Sequence, residues 1–175
     1  MPSPIAHGFL GATIVAAALP NPANRYFRPL VLGALLANLA DIDFLLVFAF
    51  HSKSWHRGFS HSIALALIVC LVFVVALGRR RIGEAVAYGL AFASHGILDY
   101  ATAKEGGGVE LLWPLSSDRL KFGWVGLSEL PSRLPAIEIA KSLVVEFLIF
   151  MPLLVLVIFL RKYAWKGASK MEGAI

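Results

Sequence analysis

The stretch Trp55-His56-Arg57-Gly58-Phe59-Ser60-His61-Ser62 gathers two histidines, an arginine and two serines in a short gap between two apolar segments. The other unusual polar residues are His7, near the start of the first apolar stretch, Asp41 and Asp43 in the second, and His95 and Asp99 at the end of the fourth. His95 and Asp99 stand i, i+4, so on a helix both project from one face about a turn apart and can serve one metal or two adjacent ones. Asp41 and Asp43 stand i, i+2 and do not share a helical face. Either they serve neighbouring metals, or the helix is irregular there. His56 and His61 straddle the turn into the third stretch, which lets both aim inward.

Histidine, aspartate and water form a ligand set suited to a divalent metal, zinc first, with manganese or iron as alternatives. The seven candidates, His7, Asp41, Asp43, His56, His61, His95 and Asp99, exceed what one tetrahedral ion needs. The count allows one to three ions and fits a dinuclear centre of the phosphatase kind best, with a bridging carboxylate and hydroxide supplied near neutral pH. Asp43 is the candidate general base. Arg57, between the ligand candidates, offers a planar fork of donors matched to phosphate oxygens, which points to a phosphoester substrate. Lys104, Arg119 and Lys121 lie in a later loop, and nothing in the sequence ties them to the site.

Each residue has a plainer reading: a hydrogen-bonded pair for His95 and Asp99, a helix-end carboxylate for Asp43, interfacial polarity for His56 and His61, a terminal surface residue for His7. Burying ionisable groups in a membrane is costly, and that shifts the balance toward function. His51 and Trp113-Pro114 read as interfacial residues. Glu146 is an intramembrane acid whose partner is Lys141, Lys162 or the bundle interior.

The elements that must position these groups follow from composition. The 175 residues form a single domain, 1–175; they are 58% hydrophobic and 15% charged, with a mean hydropathy of +0.75, which indicates an integral membrane protein. The fold expected is an all-α helical bundle of about five transmembrane or membrane-embedded helices, drawn from Ile5–Leu19, Pro29–Phe50, Ser60–Leu77, Ile82–Asp99 and Ile139–Leu160. A long outer cap loop, 100–138, separates the fourth from the fifth, and its mix of aromatic, aliphatic and charged residues predicts an ordered segment. The single cysteine, Cys70, excludes an intrachain disulfide or a cysteine-based zinc motif.

The net charge of +5 resides mainly in loops beside apolar segments, where it orients a membrane protein, so nucleic acid is not an expected partner. The opening residues lack a basic region, and no cleavable signal peptide is expected. With five spans, Arg79-Arg80-Arg81 and the basic tail fall on one side, predicted to be cytoplasmic. The N-terminus and every ligand candidate then fall on the outer face of a multi-pass protein of the inner, cytoplasmic membrane.

At His7-Gly8, Asp41-Ile42-Asp43, His56-Arg57-Gly58-Phe59-Ser60-His61-Ser62, His95-Gly96-Ile97-Leu98-Asp99 and Trp113-Pro114-Leu115-Ser116 the chain resembles the YdjM-like family of LexA-regulated, membrane-bound, metal-dependent hydrolases. The resemblance implies a multi-span helical membrane protein with His and Asp ligands. A more distant likeness, carried by His95-xxx-Asp99, is to zinc-dependent phospholipase C, an all-helical enzyme. It implies a phospholipid or lipid-linked phosphate substrate reached from the bilayer. Two other classes compete: an ion- or proton-coupled transporter, which needs polar groups across the whole membrane, and a haem protein using His7 and His95, which leaves Asp41, Asp99 and Arg57 without a role. A non-enzymatic membrane protein with a structural metal site remains a further alternative. The oligomeric state is not legible.

Overall fold

The computed structural model describes residues 2–19, 27–103, 107–123 and 136–172, with side chains of the last segment described for 137–164. Among the described residues six α-helices make the frame: α1 (Pro4–Ala18), α2 (Phe27–Leu39), α3 (Phe44–Phe50), α4 (Ile63–Leu77), α5 (Ile82–Thr102) and α6 (Ala136–Glu172). Among the described residues there is no β-strand; a single antiparallel bridge joins Val109 to Leu120.

The expectation of five spans needs correction. Among the described residues two helical segments, Phe27–Phe50 and Ile137–Ala164, are long and apolar enough to cross a bilayer, and a third is gained only if Lys53–His61 and Ile63–Leu77, bent by 50°, count as one. With 15 residues, α1 reaches only ~22 Å at ~1.5 Å per residue, short of ~30 Å of hydrocarbon. The 21 residues of α5 are long enough, but Gly89, Ser94, His95, Gly96 and Asp99 dilute its hydropathy because they face protein. One face of α5 is buried, with Ala85, Ala87, Tyr88, Ala91 and Phe92, while Ile82, Val86, Leu90 and Ile97 on the other are exposed at 42–52%.

Small residues set how closely these helices approach. A side chain on Gly11 would run into the Gly33 carbonyl, and one on Gly33 into Val15, so α1 and α2 cross in backbone contact. The crossing is antiparallel and brings the start of α1 against the end of α2, where Gly8 meets Asn38. Val15, Leu19, Leu36, Ala87, Tyr88 and Ala91 form the main apolar cluster.

Polar contacts at both ends of α1 hold it to α6. The backbone N–H of Ser3 donates to both Glu146 oxygens at 3.1 Å, and the Arg161 guanidinium donates to the Leu19 carbonyl. An anion at a helix N-terminus and a cation at its C-terminus also suit the helix dipole. Glu146 is 1% exposed and faces the bundle interior, where its partner is the Ser3 backbone; Lys141 pairs with Glu138 instead.

The described part of the cap loop, 107–123, is ordered as a lid strap across the histidine-rich turn. Glu110 N–H donates to the Arg57 carbonyl and Ile63 N–H to the Leu111 carbonyl, while Val109 and Leu111 are buried. Lys104 and the rest of 100–138 fall partly outside the described residues.

Candidate metal centre

The second span is broken where the site begins. After Leu39 the chain passes into a 3-10 turn, Ala40–Asp43, before α3 resumes. The tighter turn lets two carboxylates at i, i+2 approach one site, a placement that a regular α-helix denies them. The short turn Phe59–His61 then carries His61 inward against α5. Gly96 makes this possible, since a Cβ there would collide with the His61 carbonyl.

These breaks bring His7, Asp41, His61, His95 and Asp99 to one point. The His7 and His95 rings stack with centroids 3.8 Å apart. His95 Nε2 lies 3.3 Å from Asp41 Oδ1, and His61 Nε2 lies 3.7 Å from both Asp41 Oδ1 and Asp99 Oδ2. His7 Nε2 lies 3.5 Å from Asp99 Oδ1. Exposure is 0% for His7, His95 and Asp99 and 3% for His61.

Yet both nitrogens of His7, Nε2 of His61 and of His95, Oδ1 of Asp41 and both oxygens of Asp99 are buried without a hydrogen-bond partner among the described residues. Buried polar atoms are nearly always satisfied, so a converging set of lone pairs marks a place for a cation. Charge agrees: Asp41, Asp43 and Asp99 against Arg57 leave two negative charges in excess when the imidazoles are neutral, and such an excess is costly to bury uncompensated.

A second layer sets the tautomers. His95 donates Nδ1–H to the Ala37 carbonyl at 2.5 Å, and His61 donates Nδ1–H to Ser60 Oγ at 2.9 Å, which leaves each Nε2 lone pair facing the centre. Ser60 in turn donates to Asp43 Oδ2 at 2.7 Å. Asp43 also accepts from the Arg57 backbone N–H and from His56 Nδ1, each at 3.0 Å. Such outer partners orient metal-bound imidazoles and raise their basicity. Both Asp43 oxygens are thus occupied one layer out from the orphaned atoms, whereas Asp41 faces the centre directly. The roles of the two aspartates diverge.

The donor atoms fall into two groups, His7/His95/Asp99 and Asp41/His56/His61, each with atoms within 4.8 Å of one another. With His56 Nδ1 held by Asp43, Nε2 is the atom left for a metal in the second group. Two groups linked by Asp41 and Asp99 fit a dinuclear centre of borderline N/O donors.

Arg57 adopts φ +60°, a left-handed conformation that costs a non-glycine residue energy and recurs at functional sites. It is 5% exposed, and its Nε stands 3.3 Å from Asp99 Oδ2. The guanidinium therefore borders the centre. Sequence reasoning missed Ser60 and the Ala37 carbonyl, and it named Arg119 without a link to the site. Arg119 donates to the carbonyls of His56 and Ser54 and pairs with Glu110 at 3.3 Å, so it clamps the histidine-bearing turn without entering the site. Ser60 was visible inside the motif; the other two contacts come from residues remote in sequence.

Comparison with known proteins places the chain among bacterial inner membrane proteins. The inner membrane protein YbcI of Escherichia coli (strain K12) is 37% identical over 105 residues, 55% of this chain and 60% of that protein. The chain thus spans 60% of the length of that curated relative. No solved structure matches it. The model of the YdjM inner membrane protein family matches residues 1–167, and the chain belongs to that family.

Proposed function

We propose that this inner membrane protein is a metal-dependent hydrolase of phosphoesters carried by lipids, with its centre on the outer side of the membrane. The observation that carries the reading is the convergence of orphaned, buried donor atoms on His7, Asp41, His61, His95 and Asp99. A purely structural polar core would close these contacts into hydrogen bonds, whereas here the nitrogen–oxygen separations stay at 3.3–3.7 Å without one; a proton path would string the groups out rather than gather them around one point.

His7, Asp41, His56, His61, His95 and Asp99 would hold one or two divalent ions, zinc first. A bound ion of this kind supplies a water of lowered pKa and an electrophile for a phosphoryl oxygen. The chain's own residues do the rest. Asp43 holds His56 directly and His61 through Ser60, which fixes the direction of both rings. Arg57 is held by its backbone between Asp43 and Glu110 and brings a guanidinium to the Asp99 side of the centre, where the extra negative charge of a phosphoryl group needs a donor. The Glu110–Arg119 strap covers the turn and limits water.

Elemental analysis of detergent-purified protein, beside a His61→Ala/His95→Ala variant, tests the reading. Stoichiometric zinc, manganese or iron in the wild type and its loss from a variant of unchanged helical content is the expected result, followed by metal-dependent cleavage of bis(p-nitrophenyl) phosphate. A wild type free of metal after chelator-free preparation sinks the proposal.

A further inference from the structure

Beside the metal centre an apolar groove of about 560 Å³ runs between α1 and α2 and is closed on one side by Leu154 of α6. Gly8 and Ala12 contribute its small-residue face, and Val31, Ala34 and Leu35 the opposite wall. We propose that this groove is a subsite for one hydrocarbon chain of a membrane lipid whose phosphoester head lies at the metal centre; the proposal rests on the hydrolase reading and deepens it.

Three observations meet here. The groove begins at the depth of the site: Gly8 follows His7, and Asn38 follows Ala37, whose carbonyl holds His95. From there the α2 wall runs back to Phe27, about 16 Å at ~1.5 Å per residue. That is about half of a ~30 Å hydrocarbon core, one leaflet and thus one lipid chain. Second, the groove is continuous with the lipid-contacting surface, because Ile5, Phe27, Val31 and Leu35 on its rim are exposed at 39–80%. A hydrocarbon chain enters sideways from the bilayer without crossing water.

The third observation is Asn38. Its Nδ2 donates to the Ala34 carbonyl at 2.8 Å, while its Oδ1 is buried with no partner among the described residues. An orphaned acceptor is costly in an apolar wall. Its position at the head end suits a hydroxyl donor, which a lipid alcohol carries after its phosphoester is hydrolysed: water oxygen bonds to phosphorus, the ester P–O bond breaks, and the leaving alkoxide takes up a proton. The groove thus accounts for both the apolar and the polar part of one molecule.

The test uses full-length protein in phosphatidylethanolamine/phosphatidylglycerol vesicles carrying a trace of phosphatidylethanolamine with a diazirine in its acyl chain. After irradiation, labelling of residues 8–12 and 31–38 is expected to exceed labelling of the exposed face of α4 (Leu67, Leu71, Val75) by roughly tenfold, the weight of about two buried methylenes. Ala34→Leu, which fills the groove, is expected to abolish that excess with metal content unchanged; Leu35→Trp, at the exposed rim, provides the same test should Ala34→Leu not fold. Even labelling over both faces overturns the subsite, as does an interchain disulfide formed on oxidation of a Cys70→Ala/Leu35→Cys variant, which assigns the groove to a second copy. The two readings fail separately. Metal-dependent cleavage of a water-soluble phosphodiester with even labelling removes the subsite alone. Selective labelling of a protein that binds no metal removes the hydrolase reading and leaves a lipid site.

Discussion

Asp41 and Asp43 are neighbours in one turn, yet their replacement by asparagine is expected to act in opposite ways on the metal-free protein. Asp43 is 1% exposed and accepts three hydrogen bonds of 2.7–3.0 Å, from Ser60, Arg57 N–H and His56. In Asp43→Asn one oxygen survives to serve Ser60 and Arg57, while the amide nitrogen faces His56. His56 can then keep a bond only by accepting at Nδ1, which puts its proton on Nε2 and removes that lone pair from the metal. Losing a charged acceptor from a buried network costs about 2 kcal/mol, a fall in Tm of about 4–8 °C at ~2–4 °C per kcal/mol. The loss of an orienting carboxylate is expected to weaken metal binding by about 10–100-fold.

Asp41→Asn removes a charge whose Oδ1 has no hydrogen bond to lose. The chelator-treated variant should melt no lower than wild type, because an uncompensated buried charge has been relieved. Its metal affinity should nevertheless fall at least as far as that of Asp43→Asn, since a ligand is gone. Thermal unfolding in detergent with and without chelator, paired with competition titration against a zinc indicator, reads all four quantities. Equal destabilisation of the two metal-free variants would refute the division into a facing and an orienting aspartate. Unchanged metal affinity in Asp41→Asn would refute the centre itself.

The other expectations are simpler. Gly96→Ala drives a methyl into the His61 carbonyl and should lower metal affinity by more than about tenfold, the loss of at least one aligned ligand, while circular dichroism shows helical content retained. Arg57→Gly and Arg57→Ala should both lose phosphodiester cleavage, but the glycine variant should be the more stable by about 1 kcal/mol because the φ of +60° suits it; melting curves decide. Glu146→Leu strands the buried Ser3 N–H and should cost about 1–3 kcal/mol, with faster amide exchange at the start of α1, whereas Glu146→Gln keeps an acceptor and should lose less. In a Cys70→Ala background, a membrane-impermeant maleimide applied to whole spheroplasts should label Ser54→Cys and spare Arg80→Cys; the reverse pattern would put the metal centre on the cytoplasmic side.

Sequence by itself determined the class of this protein and singled out the polar residues that the fold gathers at one place. Apolar runs too long for a soluble core dictate a membrane protein, and ionisable residues stand out inside them because burial without purpose is costly. His7, Asp41, His61, His95 and Asp99 were therefore conspicuous before any coordinates. Tertiary structure decided how they differ. The unequal surroundings of Asp41 and Asp43 depend on a 3-10 turn and on donors from His56, Arg57 and Ser60, contacts that no spacing rule specifies. The number of spans also lay beyond hydropathy: the buried face of α5 is rich in small and polar residues because it packs against other helices, and a window average merges that face with the exposed apolar one. Glu146 shows the same limit. Its charge was plain in the sequence, but its partner is the backbone of Ser3, 143 residues away, and only the docking of α6 along α1 brings the two together.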